Sequence, residues 1–560
     1  MSIKPFGPNQ TNKLNDSSLD VSLLSQHTEE KLVSYEEALN EAGAENTYQS
    51  RVGVLVAFGM AIAGLQVMSF PFLFKEPEVQ CLNTNNNWYD CEITAATCKG
   101  LMRLKPGASE TIPASFHQFC EGSGPRILVE TIYMIASALG VALIGPLGDR
   151  YGKRIALLIS YLITCLSLLA AGFAPTWEVF VILIVLSGLG RAPFIYYGFQ
   201  LLVEVSNENF RALGTLIMGV SFALGAAFAG LFSEMVDYNW RKLYLFFLAL
   251  PSLIGFPLVF SWADESPLSF FPLHDYEKAR KGLYKIAAVN KRYLPYIRFT
   301  EEKNYSENSD LRRKIEDGTV KGAHDYSILD LFRYRSLRKA ALGGSYICFV
   351  TYFVFYGQML AVDSLSNDPV TVSVITSVVE ALACIVSVKF ITKLKRKSLL
   401  LLGFSLTAIA FIIFGLFPIS DNCSSGDINC SKVGKYISYI ELSVGRFWVA
   451  MLMCTTFVYT NELFPTVIRS RGSGLVNFFG RIGSFIPSTV IYFCNKANIS
   501  PALVFGLVAV PAAIASLFMI ETKGKPLQNH IEEEDDHHTQ YATLLHNDEK
   551  TNDNDSDVTM

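Results

Sequence analysis

The sequence predicts an all-α membrane protein of twelve spanning helices, arranged as two pseudo-symmetric six-helix halves. Three observations carry that prediction. Twelve separate apolar stretches of spanning length run through the 560 residues, and about 20 residues of helix match the hydrocarbon thickness of a bilayer. Hydrophobic residues make up 50% of the chain and charged residues 18%, a balance too apolar for an ordinary soluble enzyme. A charge-and-glycine pattern also occurs once per half: Glu204, Arg211 and Gly214 after the fourth stretch return at the same spacings as Glu462, Arg469 and Gly472 after the tenth.

Residues 1–50 are polar and hold no signal-peptide core, so the first span, beginning near Val52, acts as the insertion signal. Spans are placed near 52–74, 127–146, 155–173, 178–203, 212–232 and 243–262 in a first bundle occupying 51–262. The second bundle, 340–520, holds spans near 340–361, 370–391, 398–417, 437–459, 473–494 and 501–520. Twelve crossings return the C-terminus to the side of the N-terminus. Short loops bearing Arg150, Lys153 and Arg154, and Lys393, Lys395, Arg396 and Lys397, share one side, which the positive-inside rule makes cytoplasmic. Both termini and the 263–339 linker then face the cytoplasm, and the long 75–126 loop faces out. Within the linker, the basic amphipathic run Asp275 to Lys291 is expected either to lie on the membrane surface or to stand as a solvated helix. Much of the net charge of −4 comes from an acidic tail, 521–560, containing Glu532 to Asp536 and read as disordered. No basic surface suggests nucleic acid, and the lipid bilayer is the expected environment.

Cys81, Cys91, Cys98 and Cys120 fall in the first outer loop, and Cys423 and Cys430 between spans nine and ten. An even count confined to outward loops points to about three disulfides formed in an oxidising compartment. Pairing in the first loop stays open among the three possible arrangements. Cys165, Cys348, Cys384, Cys454 and Cys494 lie inside apolar runs, where a thiol behaves as a small hydrophobe. Sequons at Asn422, Asn429 and Asn498 fall on the outer side and are candidates for glycosylation.

The loop Gly145 to Arg154 resembles the G-x-L-x-D-R-x-G-R-R signature of the major facilitator superfamily, with Lys153 replacing the first Arg of the final pair. The long cysteine-bearing outer loop, Tyr352 to Gly357, Ser327 to Phe332 and Asn461 to Arg469 are similar to the organic cation, anion and zwitterion transporter branch. Glu265-Ser266-Pro267 and Glu521-Thr522-Lys523-Gly524 fit as well, although sugar porters share them. The chain departs from the branch at Arg191, where a small or polar residue is usual, and at Lys393 to Lys397, which lacks the usual glycine. Its first outer loop is also rather short for that branch and lacks the branch's usual sequons. The resemblance implies the major facilitator fold and alternating-access transport of a small organic ion, consistent with duplicated halves around a central site. The plasma membrane is the favoured location, with a vesicle membrane as the alternative.

Candidate residues fall into two groups. Asp149, Arg150, Arg154, Glu204, Arg211, Glu462 and Arg469 gather at the cytoplasmic helix ends, where ion pairs and helix dipoles are expected to hold that side shut or simply fix topology. Arg191, Glu380, Arg446 and Arg481 lie deep in spans, where each charge costs about 2.5–3.5 kcal/mol and so tends to face a partner or a wet cavity. The resemblance implies that Arg481 attracts an organic anion, since a guanidinium binds carboxylate through two parallel hydrogen bonds. An interhelical pair with Glu380 is the alternative. Arg446 matches a basic family position and is expected in the same cavity. Glu380 is expected to neutralise an arginine, and Arg191 either to bind substrate or to pair with a neighbouring acid. Tyr356 and Phe222 match lining positions and offer ring faces.

No Walker loop, HExxH or GxSxG string occurs, so neither cofactor, metal nor enzymatic chemistry is expected. The coupling ion is left open. Two rival readings stand beside the organic-ion transporter. One is a proton-coupled sugar or solute porter of the same superfamily, disfavoured because span seven lacks paired glutamines. The other is a non-transporting receptor or vesicle protein that docks through its acidic tail.

Overall fold

The computed structural model describes residues 31–523 apart from 83–87, 92, 94–96, 100, 122–123, 308–328, 362–368, 417–427, 466–467 and 498. Twelve long helical spans are present among the described residues. Spans one to six are Thr47–Leu73, Gly124–Tyr151, Lys153–Gly172, Trp177–Glu204, Glu208–Met235 and Trp240–Trp262. Spans seven to twelve are Arg335–Ala361, Pro369–Lys393, Arg396–Leu416, Ile428–Glu462, Arg469–Lys496 and Pro501–Ser516. All twelve expected crossings are found, several running a turn or more past the apolar core. A helix satisfies its own backbone groups, so nothing forces it to stop at the hydrocarbon edge. Polar caps set some starts: the Asn207 side chain accepts from Phe210 N at 3.0 Å and opens span five. Span six passes through a π-helical stretch, Leu243–Ala249, before Pro251.

Ten of these helices are long and apolar enough to cross a membrane by composition alone. The exceptions are explained by packing. Span eleven carries Arg471, Asn477, Arg481 and several Gly and Ser residues, and it packs against spans seven and two. Span twelve is short, with 16 residues.

The two-half division is visible in which spans touch. In the first half, span one packs on five, two on four and three on four; in the second, seven packs on eleven, eight on ten and nine on ten. Span two meets eleven across the midline, and span five meets eight. Advancing every partner by six maps each contact onto another. Backbones touch at related points: a Cβ on Gly225 would stand 2.0 Å from Ala61 O, and one on Gly483 2.2 Å from Phe349 O. Gly225 and Gly483 are separated by the same interval as Arg211 and Arg469, so the duplication includes these glycine-mediated approaches.

On one face of the bundle, the loop face, Val79–Leu82 pairs antiparallel with Trp88–Cys91 and Met102–Leu104. Cys81 bridges Cys91, and Cys98 bridges Cys120, which selects one of the three arrangements left open by the sequence. The side chains of Cys423, Cys430 and Asn429, together with Asn422 and Asn498, lie outside the described residues.

The opposite face, here the linker face, holds a small compact layer that the sequence reading did not foresee. The N-terminal strand Lys31–Val33 runs parallel to Ile297–Phe299 of the linker. A capped helix, Tyr35–Ala42, packs beside the linker helix Tyr276–Val289. That linker helix buries Tyr276, Ala279, Leu283, Ile286 and Ala287. Its apolar stripe is therefore covered by protein, and neither the membrane-lying helix nor the freely solvated one is found. Asn290 locks the layer: its side chain donates to Ala42 O and Gly43 O, at 3.1 and 2.7 Å, and accepts from Tyr48 N at 2.8 Å.

Candidate functional site

A cavity with about 600 Å³ of empty space lies between the halves. Met60, Arg191, Thr215 and Phe222 contribute from the first half, and Tyr356, Glu380, Phe457 and Arg481 from the second. A second space of about 330 Å³ adjoins it toward the linker face, sharing Ile195, Phe457 and Arg481 and adding Asn461 and Asn477. Five of the six expected substrate-contacting residues line the main cavity: Arg191, Phe222, Tyr356, Glu380 and Arg481.

Arg446 is the exception. Its guanidinium is engaged by Glu380 Oε2 at 2.5 and 3.1 Å and donates to Phe355 O at 3.3 Å. It also sits 4.1 Å from the centre of the Phe355 ring. Both partners of this pair are 4% exposed, so the expectation that Arg446 lines the cavity is corrected: Glu380 holds it behind the wall. The alternative pair, Arg481 with Glu380, is not formed.

Arg191 and Arg481 are placed differently. They are 3% and 6% exposed, and among the described residues neither forms an ion pair. Nε and Nη2 of Arg191 and Nε of Arg481 have no hydrogen-bond partner. Each guanidinium instead rests over a tyrosine ring, Arg191 at 5.0 Å from the Tyr133 centroid and Arg481 at 5.1 Å from that of Tyr352. With Glu380 and Arg446 cancelling, the cavity wall keeps two uncompensated positive charges. Buried charge of that kind is costly without a partner, and it favours occupation by negative charge.

At the linker face, Lys153 pairs with Glu204, and Arg396 pairs with Glu462 through two contacts of 3.1 Å. Glu265 accepts from Lys153 N and Arg154 N at 2.9 and 3.0 Å, and Glu521 accepts from Arg396 N and Lys397 N at 2.9 and 3.2 Å. In each half one carboxylate therefore caps the third or ninth span, where unpaired N–H groups and the helix dipole favour negative charge. Gly152 adopts φ 99°, and a Cβ there would stand 2.5 Å from Glu265 Oε2, so this position of the sequence signature requires glycine.

These ion pairs do not join the halves. Arg154 Nη2 donates to Phe260 O at 3.2 Å, and Arg211 Nε donates to Val203 O at 3.0 Å, again within one half. The expectation of an ionic latch across the linker face is corrected for Arg154, Glu204, Arg211 and Glu462. The end of span four lies beside the start of span three, so Glu204 finds its cation in its own bundle. The side chains of Asp149, Arg150 and Arg469 lie outside the described residues. Lys153 and Arg396 were missing from the candidate set, although both stand in the basic loops that fixed orientation.

The halves do meet through rings. Phe199 and Phe457 pack edge to face with centroids 6.2 Å apart, and Phe457 also approaches Tyr352 at 6.4 Å. Phe457 belongs to the walls of both spaces and Phe199 to the inner one. Phe199 precedes Glu204 by the same interval as Phe457 precedes Glu462. The repeat thus contained a signal for this contact that reasoning from charges alone passed over.

Two repeat-related helical bundles around a buried, cation-lined cavity define a multi-pass membrane transporter. The chain belongs to the Major Facilitator Superfamily, whose family profile matches residues 127–488. It is similar to solute carrier family 22 member 6 of Pseudopleuronectes americanus, 28% identical over 431 residues that span 76% of this chain and 72% of the relative. It is also similar to organic anion transporter 3 of Rattus norvegicus, at 26% identity over 77% of this chain and 76% of that protein. Among solved structures, the proton:xylose symporter XylE superposes with TM-score 0.57 at 16% identity, over 88% of this chain and 98% of the symporter. The human organic anion transporter MFSD10 superposes with TM-score 0.51 at 11% identity, over 84% and 99% of the two chains. At such identities the solved structures establish the fold alone. Together the family and the relatives make the chain a transporter of a small molecule and not an enzyme.

Proposed function

We propose that the chain carries small organic anions across the plasma membrane by alternating access, with the linker face cytoplasmic. The observation that supports this most is the charge of the cavity. Among its described lining residues the one carboxylate, Glu380, is spent on Arg446, whereas Arg481 and Arg191 present nitrogens without protein partners. Relatives named as organic anion transporters point the same way. Phe222, Tyr352 and Tyr356 supply ring faces for the apolar body of such a ligand. Sugar recognition has less support, since unpaired guanidinium groups offer a neutral polyol little that is specific to it.

Proteoliposome uptake tests the reading with a labelled aromatic carboxylate and a labelled quaternary amine. Arg481→Glu should cut carboxylate uptake by about tenfold or more, the scale of losing a charge-assisted contact. Equal carboxylate uptake by variant and parent at matched surface density would refute it.

A further inference from the structure

We propose that Cys384 and Cys454 form a redox-modifiable site in the wall of the second half, and that a disulfide between them slows transport. The change is covalent and made to the protein itself, so it is independent of which ion the cavity carries.

Cys384 stands on span eight and Cys454 on span ten, 70 residues apart, so no local spacing in the sequence announces the pair. The Cys454 thiol donates to the Cys384 sulfur at 3.2 Å. Among the described residues, the other free cysteines, Cys165, Cys348 and Cys494, have no second thiol in such contact. Cys384 and Cys454 are buried, and both belong to the wall of the main cavity. They form a small apolar cluster with Val388 and Val458 of their own spans and with Leu216 and Val220 of span five. Span five belongs to the first half and packs on span eight, so the thiols sit on a seam between the halves. Its backbone is bare at that point: a Cβ on Gly219 would overlap the Cys384 sulfur and stand 3.3 Å from that of Cys454.

A lone thiol in apolar surroundings is inert, but here a resolving thiol already touches the attacking one, which favours a disulfide over further oxidation. Burial restricts the oxidant to one small and uncharged enough to enter the cavity, such as hydrogen peroxide. One thiol attacks a peroxide oxygen: an S–O bond forms, the O–O bond breaks, and the thiol proton leaves with the departing oxygen as water. The second sulfur then attacks the sulfenic acid: an S–S bond forms, the S–O bond breaks, and the second thiol proton leaves in another water. The two sulfurs together lose two electrons, and the peroxide gains them.

A disulfide holds its sulfurs about 2.05 Å apart, so closing the pair draws spans eight and ten together by about 1 Å. Close-packed interiors transmit such a shift. It acts on the seam with span five, which must rearrange when the halves rock. It also acts one turn from Glu380, the partner of Arg446.

The test treats proteoliposomes containing parent, Cys384→Ser, Cys454→Ser and Cys165→Ser proteins with hydrogen peroxide and then with dithiothreitol. Peptide mass spectrometry without reduction reports the crosslink. Uptake is followed with whichever of the labelled carboxylate and quaternary amine the parent accumulates, and each protein is compared with its own untreated state. The parent should yield a Cys384–Cys454 peptide and lose uptake at least about fivefold, the low end of coupling between two sites, and dithiothreitol should restore it. Both single variants at the pair should lose the crosslink and the response, whereas Cys165→Ser should respond as the parent does. Cys384→Ala and Cys454→Ala replace either serine variant that fails to insert. The outer-loop disulfides are present in every protein, so effects of their reduction cancel. Absence of the crosslink in peroxide-treated parent overturns the proposal, and so does a crosslink that leaves uptake unchanged. Equal loss of uptake in Cys384→Ser and Cys454→Ser overturns it as well, by placing the sensitivity outside the pair. None of these outcomes bears on the sign of the cargo, which the carboxylate and amine tracers decide separately.

Discussion

At the scale of single residues, the same charge type serves two purposes according to its neighbours. Arg446 and Arg481 are both buried arginines of the second half, yet one is bound by Glu380 and the other keeps an unpartnered nitrogen. Removing one member of a buried pair leaves an uncompensated charge and costs about 3–5 kcal/mol, whereas replacing both by apolar groups of similar volume is close to neutral. Glu380→Gln should therefore lower thermal stability in detergent markedly, and Glu380→Leu with Arg446→Met should recover most of the loss. Equal stability of the single variant and the parent would show that the pair is not formed. The sequence revealed that Arg191, Glu380, Arg446 and Arg481 are special because mid-span charge is expensive. It did not reveal the pairing, since Glu380 is close in sequence to neither arginine and only the packing of span eight on span ten selects Arg446.

At the scale of elements, the repeat is written most clearly in the carboxylates that cap spans three and nine. Glu265 follows span six and Glu521 follows span twelve, and each accepts two backbone N–H groups at the start of a helix three spans earlier. Burial alone would lift the Glu521 carboxyl, but N–H groups donated by Lys523, Arg396 and Lys397 outweigh it and hold the group below its ordinary value of 4.5. A carboxyl depressed in the folded state stabilises fully above its ordinary value, and the contribution disappears as pH falls through the folded value. Glu521→Gln should thus melt below the parent at neutral pH, and the gap should close as the buffer is taken well below 4.5. A gap that widens in acid would contradict the capping role. The element boundaries were legible because apolar length is a strong signal, and the N-terminal layer was not. Lys31–Val33 is a three-residue strand whose partner lies in the distant linker, and nothing local marks such a pairing.

At the scale of the whole molecule, the question is what closes the cavity toward the linker face. Charges pair within each half, so no described ion pair there resists separation of the bundles. Phe199 and Phe457 do face each other across the midline, at equivalent places in the repeat, between the main cavity and the inner space. An aromatic pair contributes about 0.5–1.5 kcal/mol beyond its burial, weak enough to break on each cycle and bulky enough to exclude solvent. Ion pairs that keep each bundle rigid and a ring contact that separates easily suit a molecule whose halves move as units. Native thiols report on this directly, because Cys454 lines the main cavity, one turn from Phe457 on the ligand side, and is buried. A membrane-impermeant thiol reagent applied from the linker face should label Cys454 slowly in the parent. In Phe457→Ala it should label it much faster, with Cys454→Ser as the control for the other cysteines. Phe199→Ala should give the same acceleration, and combining the two changes should add little, since either ring alone has lost its partner. Labelling unaffected by both substitutions would mean that the closure lies elsewhere, in the helix ends around Asp149, Arg150 and Arg469.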